Sequence, residues 1–354
     1  MFSQKDRAPS VSHLAIAFRV LLMLLVLHPG SSQRHGGNRS CCKVPRSLGC
    51  SCSHRVHGTD IKCGDVPLTE VPGNLSRPES LWMSRTGLQL DDGVPYPSLV
   101  DLHIEGNSIP RIRDGAFEQL ENLITLILVD NGIQLLTGRT FAGLGSLEFL
   151  SLSGNAIVHI RAEVFSRLNM PNLKILKLSN CNISSLDPNS FSGLQNLALL
   201  DLSSNKIETL PVLGDSEGLP SLMTLQLCNN RLHIVDGSTF QFLTSVRHLH
   251  LSHNRISVLD RSSFSGSMQK TLLSLHLRHN GLAEVEGLAI CQLESLTTLD
   301  ISFNSLRTLT ADDIPGNVEK ILIHDNPWTC ANCENSWILE NPNVKNWNKE
   351  SSVT

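Results

Sequence analysis

Aromatic residues are scarce in this chain of 354 residues, with one Tyr and four Trp, and aromatics make up 5% of the total. Strong net charge is missing too: 29 Lys and Arg face 33 Asp and Glu, leaving −4. That balance excludes nucleic acid as the main partner, because phosphate binding needs a concentrated basic surface. Long runs of like charge are absent, which argues against a disordered or mucin-like chain. No stretch approaches the ~18 apolar residues of a membrane span. Gly-x-Ser-x-Gly elbows, His-Glu-x-x-His pairs and phosphate loops are also missing, so the sequence points to no enzyme, no resident metal and no cofactor.

Leucine is abundant, at 58 residues. A single core stops growing near ~250–300 residues, so this length implies two domains or a repeat array. Ten cysteines point to an oxidising compartment. At the amino terminus, Lys5, Arg7 and Arg19 precede the apolar run 20–27, followed by Pro29, Gly30, Ser31 and Ser32. This reads as a secretory signal over residues 1–32, because eight apolar residues rise only ~12 Å as a helix. With a polar tail at 346–354, the expected product is secreted and extracellular, with no membrane span in this chain.

The middle of the chain repeats one frame of spaced apolar residues followed by Asn. It appears as Leu99, Leu102, Ile104, Asn107 and Ile109, and again as Leu123, Leu126, Leu128, Asn131 and Ile133. The frame returns around Asn155, Asn205, Asn230, Asn254, Asn280, Asn304 and Asn326, with Cys181 standing in once, in steps of 24–26 residues from Asn107 to Asn304. A degenerate first copy centres on Thr86. Ten residues past the Asn position lies a second apolar marker: Tyr96, Phe117, Phe141, Phe165, Phe191, Phe240, Phe264, Ile290 or Ile314, broken only by Asp215. Apolar residues two apart predict a short strand with alternate side chains inward. The Asn sits where the chain turns, and its amide can satisfy neighbouring backbone groups. One unit cannot bury enough apolar surface to offset the entropy of ordering it, so the units must stack cooperatively.

This frame resembles the leucine-rich repeat of the extracellular 24-residue type, over about eleven units at 78–328. The fold expected is an α/β solenoid, a horseshoe with a concave parallel β-sheet and a mostly irregular convex side. Cys42, Cys50, Cys52 and Cys63, followed by Leu68, Val71, Pro72 and Leu75, resemble the family's amino-terminal cap, placed at 41–77. The resemblance implies the pairs Cys42–Cys52 and Cys50–Cys63, with Cys41 able to replace Cys42; a zinc site is the alternative. Asn326, Pro327, Trp328, Cys330, Cys333 and Trp337 are similar to the opening of the carboxy-terminal cap. Two further cysteines are missing from that pattern, so 329–354 reads as an incomplete cap and tail. Either Cys330 pairs with Cys333 or the chain is a truncated form of a longer receptor.

Function is sought in the outward positions of each strand. The central units present Ile127, Val129, Phe149, Ile175 and Leu199, expected as exposed apolar tips that form a contact site. Lys177, Asp201 and Gln226 complete the same face. Farther along, His248, His250, His253, His276 and His279 cluster with Arg278, and His250 should neighbour His276. Three readings stand for this cluster: solvated surface, a response to acidification, or zinc binding. Glycosylation sequons begin at Asn38, Asn74 and Asn182. Cys181 reads as a buried thiol, whereas Cys228 and Cys291 could be reactive. The function expected is non-catalytic recognition of a protein, glycan or lipid-bearing ligand by the concave face, with innate immunity as the expected setting. A matrix or adhesion component and a truncated ectodomain of a Toll-like receptor are the alternatives.

Overall fold

A computed structural model describes residues 48–54, 58–73, 75, 77–165, 170–213, 218–329 and 337–345. All of them lie in one compact unit, Cys42–Thr354. The expected signal at 1–32, and Asn38, Cys41, Cys42, Asn74, Asp215, Cys330 and Cys333, fall outside the described residues.

Each coil contributes one short strand to a single sheet. The amino-terminal strands are β1 (Ser51–His54), β2 (Thr59–Gly64), β3 (Pro78–Ser84), β4 (Asp101–Glu105), β5 (Thr125–Val129) and β6 (Phe149–Ser151). A flank strand β7 (His159–Ile160) precedes β8 (Ile175–Lys177), and β9 (Ser185–Leu186) precedes β10 (Leu199–Asp201) and β11 (Thr224–Gln226). Then come β12 (His248–His250), β13 (Val258–Leu259), β14 (Ser274–His276), β15 (Glu284–Val285), β16 (Thr298–Asp300), β17 (Lys320–Leu322) and β18 (Val344–Lys345). Among the described residues the sheet has fourteen strands in the order β1-β2-β3-β4-β5-β6-β8-β10-β11-β12-β14-β16-β17-β18. Only β1 and β2 are antiparallel; the other neighbours are parallel, with one register shift between Thr59 and Asp60 where β2 meets β3 and a continuous register beyond it, as in Asp101↔Thr125, Leu102↔Leu126 and His103↔Ile127. Two small two-stranded sheets, β7 with β9 and β13 with β15, run along one flank.

The architecture is a β-solenoid with little regular helix. The α component of the expected class reduces to two four-residue helices, α1 (Met268–Thr271) and α2 (Trp337–Glu340), and short 3-10 turns at Gly237–Phe240 and Ala311–Asp313. The sheet is also longer than the eleven strands expected, because β1, β2 and β18 extend it at both ends. Inward residues of the repeat strands, such as Leu102, Leu126, Leu150 and Leu176, are fully buried. The second marker fills the far side of the core: Phe117, Phe141, Phe165, Phe191 and Phe264 are fully buried, and ring centroids of Phe141, Phe165 and Phe191 step at 5.9 and 5.8 Å. Coils approach so closely at Gly143 (φ +92°) that a Cβ there would lie 2.5 Å from the Glu118 Cα. Glycine is required at that point.

The asparagine column joins the coils. Asn155 Oδ1 accepts from the Asn131 N–H at 3.1 Å and from the Ile133 N–H at 3.0 Å. Its Nδ2 donates to the Leu128 carbonyl of the preceding coil at 2.7 Å. Asn205 repeats this, accepting from Cys181 and Ile183 and donating to Leu178. Cys181 keeps part of the role: its thiol donates to the Leu152 carbonyl at 3.1 Å. Burial pushes that thiol up to about 11, so it stays protonated. The residue just before each column position holds a left-handed backbone, from Arg85 (φ 50°) through Asp130 (φ 54°) and His253 (φ 58°) to Phe303 (φ 55°) and Asp325 (φ 55°).

The ends are closed by specific contacts. Cys50 and Cys63 form a disulfide that links the segment before β1 to β2. Cys52 is also disulfide-bonded, and the zinc alternative for this cap is thereby overturned. The single tyrosine, Tyr96, accepts a hydrogen bond from the Leu75 N–H at 3.0 Å and donates to the Pro72 carbonyl. At the other end, Trp328 and Trp337 donate their indole N–H groups to the carbonyls of Ile323 and Leu309.

Removing Asn205 leaves the buried N–H groups of Cys181 and Ile183 without acceptors, at ~1–3 kcal/mol each. Asn205→Ala is therefore expected to lose about 2–5 kcal/mol in urea unfolding. Cys181→Ala should lose less, because a thiol is a weaker donor and acceptor than the amide it replaces; equal losses would contradict this account.

Candidate functional site

The concave surface is the outward face of the fourteen-stranded sheet. Parallel strands lie ~4.8 Å apart, so equivalent outward side chains of successive coils stand shoulder to shoulder. They form columns of like position. The apolar centre of one such column runs Thr125, Phe149, Ile175, Leu199 and Thr224, each opposite the next.

Phe149 and Ile175 depart from expectation. They point to the concave side but are only 5% and 4% exposed, so they are not protruding tips. Lateral packing explains this: each is flanked on both sides by its column neighbours, and the Lys177 ammonium lies 5.7 Å from the Phe149 ring centroid. The Glu148–Lys174 ion pair, at 2.7 Å, occupies the positions directly before these two residues. Ile127, Val129 and Leu199 are half-buried and remain accessible. Asp201 is buried and its carboxylate accepts from both the backbone N–H and the hydroxyl of Ser203. Gln226 stands between Asp201 and His250 in the adjacent strands.

The histidines do come together. His250 and His276 face each other across β12 and β14 with ring centroids 4.7 Å apart and planes within 4°. His253 and His279 stack at 4.6 Å. His276 is held by Ser274 Oγ at 2.7 Å from its Nε2, with Asp300 Oδ2 4.0 Å from its Nδ1. Burial, then His276 and His248, pushes His250 down to about 4. His248 is lowered by burial, His276 and Arg247. Burial also raises the Asp300 carboxyl, but hydrogen bonds from His276 and Ser302 outweigh it and hold the group below its ordinary value. Face-to-face rings are arranged for stacking, not for converging nitrogens on one ion. Among the described residues, no group of three or more His, Cys, Asp and Glu is placed to hold a metal.

Three further members of the surface are not singled out by the sequence: Trp82 and His103 lie within β3 and β4, and Phe303 follows β16. Phe303 stacks on His279 at 4.4 Å, meets His324 edge-on at 5.2 Å, and carries the Arg278 guanidinium 4.2 Å above its ring. At the opposite end Trp82 stacks on His103 at 3.7 Å, with Lys62 over its ring at 4.7 Å. The signal that could have found Phe303 is its place directly before Asn304, in the same left-handed position as His253 and His279. Asn182 is exposed beside the column, as a glycan acceptor must be. Cys228 and Cys291 are half-buried free thiols, and burial raises Cys228. No helix among the described residues is long and apolar enough to cross a membrane.

The folded chain holds His250 at about 4, against 6.5 for an ordinary imidazole. The unfolded chain therefore binds the extra proton between those values. Stability tied to this group is complete above pH 6.5 and is lost as pH falls toward about 4. Thermal unfolding followed from about pH 7.5 to about pH 4.5 should show a falling Tm. His250→Gln should flatten that fall; an unchanged slope would remove the assignment.

Comparison with known proteins agrees with this geometry. The leucine rich repeat family matches residues 97–157, 171–215, 220–269 and, through a second profile, 295–327. The human leucine-rich repeats and immunoglobulin-like domains protein 1 is 33% identical over 230 residues, 63% of this chain and 20% of that protein. Mouse podocan is 34% identical over 143 residues, 39% of this chain and 22% of that one. Bovine (Bos taurus) decorin is 31% identical over 240 residues, covering 62% and 59% of the two chains. The chain thus spans about a fifth of the length of the first two relatives. In structure, the mouse RP105/MD-1 complex matches 80% of this chain and 50% of its own with a TM-score of 0.69 at 22% identity. The Drosophila Toll–Spatzle complex matches 71% and 35% with a TM-score of 0.61 at 22% identity. The chain is a leucine-rich-repeat solenoid, related in sequence to the repeat arrays of leucine-rich repeats and immunoglobulin-like domains protein 1, podocan and decorin.

Proposed function

We propose that the protein is an extracellular, non-catalytic recognition module that binds a protein ligand through its concave face. The observation that carries this is the column arrangement itself. Ile127, Val129 and Leu199 remain accessible on a rigid, laterally bonded sheet, between polar and charged ends. A rigid surface of this kind loses little entropy on binding, which favours affinity. The neighbouring solved structures include protein complexes, RP105 with MD-1 and Toll with Spatzle, and this likeness of fold supports the same kind of partner here.

The cap and the modifications belong to the same reading. The Cys50–Cys63 disulfide supports a cysteine-stapled cap at 41–77 whose second bond is Cys42–Cys52, and an oxidising, extracellular location. Asn38, Asn74 and Asn182 are its proposed glycan acceptors. A second reading, a receptor ectodomain, draws on the likeness to a protein of which the matched stretch is only 20%; a transcript continuing past Thr354 into two more cysteines and a membrane span would favour it.

Affinity capture from extracellular fluid tests the main reading. Ile127→Arg with Leu199→Arg should reduce the captured partner by about tenfold or more, the usual effect of charge in an interface core. Leu288→Arg, at an exposed position outside the sheet, should leave capture unchanged. Equal capture by both variants, with unchanged thermal unfolding, would reject the concave face. Non-reducing peptide mapping should recover Cys42 linked to Cys52 and a glycosidase-sensitive mass on Asn182; a Cys42 linked elsewhere would contradict the cap assignment.

A further inference from the structure

The carboxy-terminal third of the concave face has a chemistry of its own. Nine consecutive outward positions on or directly after β11, β12 and β14 include no carboxylate: Thr224, Gln226 and Cys228, then His248, His250 and Ser252, then Ser274, His276 and Arg278. Carboxylates return only at Asp300, which His276 and Ser302 already engage, and at Asp325 beside His324. The opposite end of the face differs, with Asp101 and Glu105 in the corresponding columns.

Two groups in this third are ready to receive an anion. Among the described residues Arg278 forms no ion pair; Phe303 covers one plane of its guanidinium, leaving the N–H edge that forks a carboxylate. The His250 ring stacks on His276, and its imidazole nitrogens have no hydrogen-bond partner among the described residues. His276, in contrast, is occupied by Ser274 and Asp300 and acts as its support. His250 and Arg278 sit in adjacent strands on the same face, a diagonal of roughly 7–8 Å.

We propose that this surface, built from His248, His250 and Arg278, binds a carboxylate-bearing polypeptide segment, and that His250 takes up a proton as the segment binds. The proposal deepens the concave-face reading and rests on it. In the unbound protein a proton on His250 is opposed by burial and by the facing His276 and His248; Gln226, on its other side, is neutral. Arg247 adds to the opposition at His248. The neighbouring His279 is lowered by burial, then by His253 and Arg278, against a smaller opposing pull from Asp300 and Asp325. A carboxylate laid against these groups reverses the balance at His250, and by linkage the proton then strengthens the carboxylate's hold. A polypeptide suits the surface better than a sulfated glycan. Asp300 and Asp325 interrupt the cationic area, so a uniformly charged polymer meets repulsion, while Leu322 and Leu199 at its margins match aliphatic side chains.

The test is fluorescence anisotropy on the full chain with a labelled peptide of about twelve alternating Glu and Leu residues, whose carboxylates remain mostly ionised at about pH 5.5. If the His250 pKa returns to its ordinary value in the complex, affinity at about pH 5.5 should exceed that at about pH 7.5 by about tenfold at constant salt. His250→Gln should reduce that ratio to less than about twofold, and Arg278→Gln should weaken binding at both pH values by about fivefold or more while retaining the slope. Thermal unfolding at neutral pH verifies that both variants fold. A peptide of alternating Gln and Leu should show no such slope. Absence of saturable binding, equal affinity at the two pH values, a slope retained by His250→Gln, or tighter binding of a heparin oligosaccharide of matched length would each overturn the proposal. Capture that is lost in the Ile127→Arg, Leu199→Arg variant yet indifferent to pH and to His250→Gln would overturn this inference alone and leave the concave-face reading standing.

Discussion

The lateral hydrogen bond between coils is the constraint on which this molecule depends. No single coil buries enough apolar surface to order itself, so each must borrow from its neighbours. Parallel strand bonds supply one line of attachment and the asparagine column a second, on the inside of the turn. Together they allow only one register. Cys181 shows that the column tolerates a partial substitute when both neighbours are intact: a thiol donates where an amide would, and the coil remains in line.

Register has a chemical consequence on the outside. Side chains at matching positions meet their counterparts in the next coil before they meet solvent, so the properties of the concave face are collective. Phe149 is hidden because Thr125 and Ile175 stand beside it, and His250 resists protonation because its neighbours bury it and, after that, because His276 lies flat against it. The same adjacency stacks Trp82 on His103 and His279 on Phe303. The surface is a set of short stacks, each with an accessibility and a proton affinity that no member has alone.

Most of the fold is legible in the sequence because its period is physical. Asn and Phe markers recur at fixed phase, and the strands and the buried rings fall where those markers place them. The pairing of His250 with His276 and of His253 with His279 follows from the same counting. Two things did not follow. Alternation says which way Phe149 and Ile175 point but not whether a neighbour covers them, since cover depends on side-chain volume in the adjoining coils. Phe303 lies beyond the alternating strand, and only the backbone turn before Asn304 turns it toward His279 and Arg278.

That turn has a consequence for what the molecule can become. Left-handed backbone is held before every column residue, whether the occupant is Gly106, Asp130, Ser204, His253 or Phe303. A bulky L-residue there costs roughly 1–2 kcal/mol, and the surrounding bonds absorb it. Eleven places along one rim therefore share a committed main chain, and all but Gly154, where a Cβ would meet the Asp130 carboxylate, leave the side chain uncommitted. Chemistry along that rim is open to revision coil by coil, while the solenoid beneath it stays as it is.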